Sequence, residues 1–149
     1  MKHGIAKSIE IDGIKFPSEW EGNFYQALKK LQIPFEYQYK VLLTPKTMMK
    51  DKKIPLLSSG AIREVSLTID FVIDGPEGKV YIDTKGSKFS VAEDAHLKFK
   101  LFKFYLVANG ELSSQVKFIF QKEGKILLKL AALNQKELFL KTLFSTANF

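Results

Sequence analysis

No cysteine occurs in these 149 residues, so neither a disulfide nor a thiolate zinc site can contribute. That absence fits a reducing compartment. Arginine is almost missing as well, with Arg63 the only one. Bidentate reading of guanine favours arginine, so sequence-specific base recognition is disfavoured. The two histidines, His3 and His96, show no ligand spacing, and neither is assigned to a metal. No apolar run approaches membrane-spanning length, and the N-terminus, Met1-Lys2-His3-Gly4, lacks an apolar signal core. Internal repeats, low-complexity tracts and linkers are also absent. The expectation is a soluble, intracellular (cytoplasmic) protein with no membrane partner.

What is present suits one domain over residues 1–149. The chain is long enough for a sizeable core, and 46% of it is hydrophobic, which argues against disorder. Net charge is +7, from 23 basic against 16 acidic residues, and the basic side is almost wholly lysine. A lysine excess reads either as a solvated surface or as a contact for a polyanion. Lysine is a point charge that suits phosphate, so any nucleic acid would be met at its backbone or by its shape.

Along the chain, residues 1–17 read as a short strand or arm, with Ile5, Ile9, Ile11 and Ile14 among polar residues and a turn at Asp12-Gly13. Ser18 then opens a helix: it is an N-cap type with Glu21 three positions on, the capping-box pattern. Trp20, Phe24, Leu28 and Leu31 keep helical spacing through Gln32, and Pro34 ends the run. Phe35 to Leu43 alternates as a strand. Residues 44–62 carry turn formers and lysines and read as a basic loop long enough to be functional. Val65, Leu67, Ile69, Phe71 and Ile73 occupy one face of the next strand, with Ser66, Thr68 and Asp70 on the other. In Lys79–Lys85, Val80 and Ile82 face one way, and Tyr81, Asp83 and Lys85 the other. A helix is predicted from Ser90 to Leu106 with Leu97, Leu101, Phe104 and Tyr105 inward. Val116–Phe120 and Ile126–Leu130 read as two strands about a Glu123-Gly124 turn, and Asn134 caps a C-terminal helix over 134–149 with Leu138, Leu140, Leu143 and Phe144 apolar. The fold class is α/β, a mixed central sheet flanked by helices.

One cluster stands out chemically. Asp83 and Lys85 lie two apart on one strand and share a face. A hairpin through Asp74-Gly75-Pro76-Glu77-Gly78 sets Asp70 across from them. Two carboxylates and a lysine converging at a sheet edge can hold a divalent cation and a phosphate. Duller readings stand beside this one: Glu21 as the second half of a capping box, Asp83 and Lys85 as a solvated ion pair, Asp74 and Glu77 as turn residues.

Phe16-x-Ser18-x-x-Glu21, then Asp70-Phe71, then Val80-x-x-Asp83-x-Lys85-Gly86, then a lysine-rich aromatic helix, together resemble the PD-(D/E)XK nuclease superfamily, most closely a small phage-associated branch akin to Holliday junction resolvases. The resemblance covers residues 16–106. Asp83 stands where many members have glutamate, and Ile69 where many have proline. The resemblance implies a restriction-endonuclease-like αβββαβ core and a metal-dependent DNA endonuclease, structure-selective for branched DNA, working in phage or mobile-element DNA processing. It implies catalytic roles for Glu21, Asp70, Asp83 and Lys85. Asp70, Asp83 and the Thr84 carbonyl would hold Mg²⁺, with Mn²⁺ substituting, and Glu21 a second metal or its water. Lys85 would orient the attacking water or stabilise the transition state, leaving a 5′-phosphate. Lys98 and Lys100 are either phosphate contacts or a solvated helix face. Lys88, Lys103, Lys46, Lys52 and Lys53 are candidate backbone contacts. Gln38 is either site-adjacent or a surface amide. The stretch Phe99, Phe102, Phe104 and Tyr105 reads as core or as a base-stacking platform. A homodimer through the apolar C-terminal helix would suit a branched substrate. Two other readings stay open, a catalytically inactive DNA-binding module with the same fold and a partner-binding protein in which the acids are incidental.

Overall fold

The computed structural model describes residues 7–48, 61–86 and 93–146. Two short antiparallel strands, β1 (Ile9–Ile11) and β2 (Ile14–Phe16), come first. Between them Asp12 (φ 52°) and Gly13 (φ 77°) are both left-handed, the two-residue hairpin turn that Asp-Gly favours. Helix α1 (Glu19–Lys30) follows, with the Ser18 hydroxyl accepting from the Glu21 amide at 3.2 Å. It buries Trp20, Phe24 and Leu28 as its spacing predicts, and Gln32 (φ 54°) turns the chain out of it.

The strands β3 (Glu36–Thr44), β4 (Thr47–Met48), β5 (Ala61–Ile62), β6 (Val65–Asp74) and β7 (Lys79–Lys85) come next. The small β4–β5 pair joins the two ends of the lysine-rich loop; its middle, including Lys52 and Lys53, lies outside the described residues. Helix α2 (Glu93–Ala108) leads from β7 to β8 (Gln115–Phe120), and α3 (Gln121–Ala132) and α4 (Lys136–Ser145) complete the chain. The main sheet has the order β3-β6-β7-β8, antiparallel except between β7 and β8, which run parallel on either side of the α2 crossover. The fold is therefore α/β with a mixed four-stranded sheet flanked by helices. Among the described residues no helix is long and apolar enough to cross a membrane.

Two apolar clusters sandwich the sheet. One joins α1, α3 and α4 to Phe71, Ile73, Val80, Ile82 and Ile119; the other joins α2 to Val41, Leu67, Ile69, Val72, Tyr81, Val116 and Phe118. Strict alternation along β6 fails. Phe71 and Ile73 belong to the first cluster but Leu67 and Ile69 to the second, so the apolar side changes over at Asp70. Strand β3 changes over opposite it: Phe35 and Tyr37 pack on the first cluster, Tyr39 and Leu43 on the second. The residue between Tyr37 and Tyr39 is Gln38, whose φ of 56° is left-handed in mid-strand.

Three further expectations are corrected. Residues 126–130 are helical, not a second hairpin strand. A short apolar run such as Ile126-Leu127-Leu128 does not distinguish strand from helix by itself, and Leu127 and Ala131 face α1 at helical spacing. Gly124 is no turn residue: a Cβ there would lie 1.9 Å from Cη2 of Trp20, so glycine permits α3 to close on α1. Trp20 also donates from Nε1 to the Ile119 carbonyl at 3.1 Å, tying α1 to β8. Helix α2 presents Phe99, Phe102 and Leu106 inward, whereas Leu97 (60% exposed), Leu101, Phe104 (73% exposed) and Tyr105 lie outside. A helix whose apolar residues and lysines are both spread round its circumference has no unique inward face in its periodicity. Asn134 (φ 54°) closes α3 instead of capping α4. In α4, Phe139 and Leu143 enter the chain's own core, and Leu140 and Phe144 pack against it. The fully buried Lys117 of β8 donates to the carbonyls of Leu143, Phe144 and Thr146 at 2.9, 2.7 and 2.8 Å. Those three acceptors offset the burial that works against its charge.

Candidate active site

The β6–β7 ladder pairs Asp74 with Lys79 through to Phe71 with Ile82, and stops there. Beyond that point β7 continues on β8 alone, with Asp83, Thr84 and Lys85 opposite Phe118, Ile119 and Phe120. The sheet thus forks at its centre, and Asp70 and Asp83 stand at the fork. An amide left without a ladder partner must find another acceptor. The Thr84 N–H donates to Oδ2 of Asp70 at 2.8 Å, and the Thr84 hydroxyl donates to the same oxygen at 2.8 Å.

Glu21 reaches this point from the first turn of α1. Only half of the capping box forms: Ser18 accepts from the Glu21 amide, but the Glu21 carboxylate accepts from the Tyr37 hydroxyl at 3.1 Å. Glu21 is 4% exposed, and its carboxyl group interacts with that of Asp70. Asp70 in turn interacts with Asp83. Lys85 Nζ lies 2.7 Å from Oδ2 of Asp83. Asp83 is 4% exposed, so this is no solvated surface pair. Its Oδ2 is the oxygen that faces the Lys85 ammonium.

Burial raises the proton affinity of all three acids. Asp70 is pushed up to about 6 by burial and then by the charge of Glu21, against the two donors of Thr84. Asp83 is pushed up to about 7 by burial and the charge of Asp70, with Lys85 pulling the other way. Glu21 is raised by burial, with Tyr37 opposing. Tyr37 is raised in its turn, by burial and by Glu21. Three crowded acids with raised proton affinity, beside one lysine, form a donor set of hard oxygens. Such a set suits a divalent cation bound through one or two carboxylates, its remaining positions filled by water and phosphate. Among the described residues no three acidic or imidazole side chains converge on a single ligation point as they stand.

Glu21, Asp70, Asp83, Thr84 and Lys85 are therefore brought together. Thr84 contributes its amide and hydroxyl to Asp70, a role the sequence reading did not include; a threonine directly after the second acid was the available signal. Tyr37 was missed altogether, because a tyrosine alternating in a strand reads as packing. Gln38 stands beside the cluster, its Nε2 3.4 Å from the Tyr37 hydroxyl oxygen. Lys100 and Lys103 are exposed on α2, Lys98 is half-buried there, and Lys46 is exposed before β4. Lys88 and His3 lie outside the described residues. Asp74 is exposed at the hairpin, where the Gly75 amide donates to the Gly78 carbonyl at 2.8 Å, as a turn residue should be.

No curated protein and no solved structure matches the chain. A family model, DUF1064, described as a protein of unknown function, matches residues 1–120, a span that holds every residue of the acidic cluster. By that match, which extends over most of its length, the chain belongs to the DUF1064 family.

Proposed function

We propose that the protein is a divalent-metal-dependent DNA endonuclease of the PD-(D/E)XK type, with Glu21, Asp70, Asp83 and Lys85 as its catalytic set. The observation that carries this reading is the convergence of those four side chains, from α1, β6 and β7, at the fork of the sheet. The order helix, three strands, helix, strand, with β7 and β8 parallel across α2, supports a restriction-endonuclease-like core.

Asp70 and Asp83 would hold Mg²⁺ or Mn²⁺, with the Thr84 carbonyl and Glu21 beside them. A hard cation in that position supplies Lewis acidity, which acidifies a water and offsets charge on the phosphodiester. Thr84 keeps Asp70 oriented through two donors. Lys85, partly exposed, presents its ammonium where negative charge grows on the phosphate, and such a donor contributes about 10²- to 10³-fold in rate. The lysine excess supplies backbone contacts without base reading, which favours selection of DNA by its branched shape.

Asp83→Ala and Lys85→Ala, assayed with Mg²⁺ or Mn²⁺ on linear, nicked and four-way DNA, should each lose cutting by about 10²-fold or more. Wild-type-like cutting by both variants would overturn the assignment. The Lys85–Asp83 contact, together with the lack of a ready three-ligand point among the described residues, favours one second reading, a DNA-binding module without catalysis. That module would bind DNA, keep binding after Asp70→Ala, and fail to cut DNA whichever metal is supplied.

A further inference from the structure

We propose that Tyr37 is a positioning residue for the acidic cluster, holding Glu21 through its hydroxyl, and that the left-handed backbone at Gln38 delivers it there. The inference rests on the metal-dependent reading of the site and deepens it. A glutamate in the first turn behind an N-cap serine ordinarily folds back onto the N-cap amide. Here Oε1 of Glu21 is engaged by Tyr37 instead, while the carboxyl group remains in contact with Asp70.

The ring of Tyr37 is confined on several sides. Its centroid lies 5.2 Å from Phe16, 5.8 Å from Tyr25 and 5.3 Å from Phe71, all of them buried. A ring so packed points its hydroxyl in one direction. The Gln38 amide approaches the hydroxyl oxygen as a donor at 3.4 Å, which leaves the hydroxyl hydrogen for Glu21.

In a regular strand Tyr37 and Tyr39 would share a face. Tyr39 packs beside Tyr81 in the α2 cluster, so regular alternation would carry Tyr37 away from Glu21. The change of face at Gln38 prevents that. A non-glycine residue held left-handed in mid-strand persists where its surroundings over-determine it, and such residues gather at functional sites. Gln38 lies opposite Asp70, the point where β6 also changes face.

Tyr37→Phe keeps the ring and removes the hydroxyl. In calorimetric titration it should bind Mn²⁺ about tenfold more weakly than the wild type, with an unchanged melting temperature, the size of effect expected for a partner that orients a ligand. The Mg²⁺ concentration for half-maximal cutting should rise by a similar factor, more than the maximal rate falls. Gln38→Gly, which keeps the left-handed backbone, should bind Mn²⁺ more tightly than Gln38→Val, which resists it, although both lose the amide; equal binding by the two would overturn the role of that backbone. If Tyr37→Phe binds Mn²⁺ as tightly as wild type while Asp70→Ala does not bind it, this inference fails and the metal-dependent reading stands. If the wild type neither binds Mn²⁺ nor cuts DNA, both fail.

Discussion

Asp83 illustrates what a single residue bears at this site. It is buried, adjoins Asp70 and keeps a lysine at 2.7 Å, yet its proton affinity is still raised to about 7. Coulombic help from one partly exposed ammonium does not offset the loss of hydration plus a second acid. The consequence for stability has a definite sign. Both aspartates hold their protons in the fold well above the ordinary value of 3.8, so the folded chain binds more protons than the unfolded one between that value and about 7. Their contribution is complete below the ordinary carboxyl range and is lost as pH rises through the folded values. In chelator, Asp83→Asn should therefore match wild-type stability near about pH 4 and exceed it by about 2 kcal/mol near about pH 8. Urea unfolding across that range measures the difference. Parallel curves for the two proteins would show that Asp83 is not held protonated.

At the scale of elements, the close approach of α1 and α3 decides how the C-terminal third of the chain packs. Trp20 lies where a side chain at Gly124 would stand, and its indole N–H binds the carbonyl of Ile119. Gly124→Ala improves helix propensity by about 1 kcal/mol but forces the new methyl group into the indole ring. The clash should dominate, for a net loss of about 1–3 kcal/mol with a shift in Trp20 emission. A variant at least as stable as wild type would mean that α3 can move off α1 freely. The same packing explains the misreading of this stretch. Gly124 between Glu123 and Lys125 has the composition of a turn, and only the indole against it shows why glycine is required. Helix α2 has a different problem, since apolar residues spread round it between lysines concealed which side faces the sheet.

Across the whole molecule, a chain of net charge +7, its basic residues almost all lysine, holds an acidic, buried site. Binding to DNA should therefore be dominated by phosphate contacts, with log affinity falling linearly in log salt at about 0.9 per phosphate neutralised. Lys100→Ala should lower that slope by about 1 if the exposed face of α2 meets the backbone, and titrations at several salt concentrations would read it. A slope near zero for the wild type would remove polyanion binding as the purpose of the charge. Much of the larger plan was legible beforehand. The order of elements from α1 to β8 apart from the small β4–β5 pair, the Asp12-Gly13 turn and the Ser18 cap follow from local rules, since each depends on residues within one turn of one another. Asp70, Asp83 and Lys85 were legible because a charged residue in an apolar strand is conspicuous.

Which acids and lysine form the cluster, and most of the strands and helices that hold them, follow from the sequence, because periodicity, capping and the expense of burying charge are properties of neighbours along the chain. Only the tertiary structure decided how those residues meet. The fork between β6 and β7, the capture of Asp70 by Thr84, the turning of Glu21 from its cap toward Tyr37, and the change of face at Gln38 all join residues 14 to 34 positions apart, or break a local rule where the fold over-determines it. Such contacts depend on sheet register and helix packing, which leave no periodic mark in the sequence.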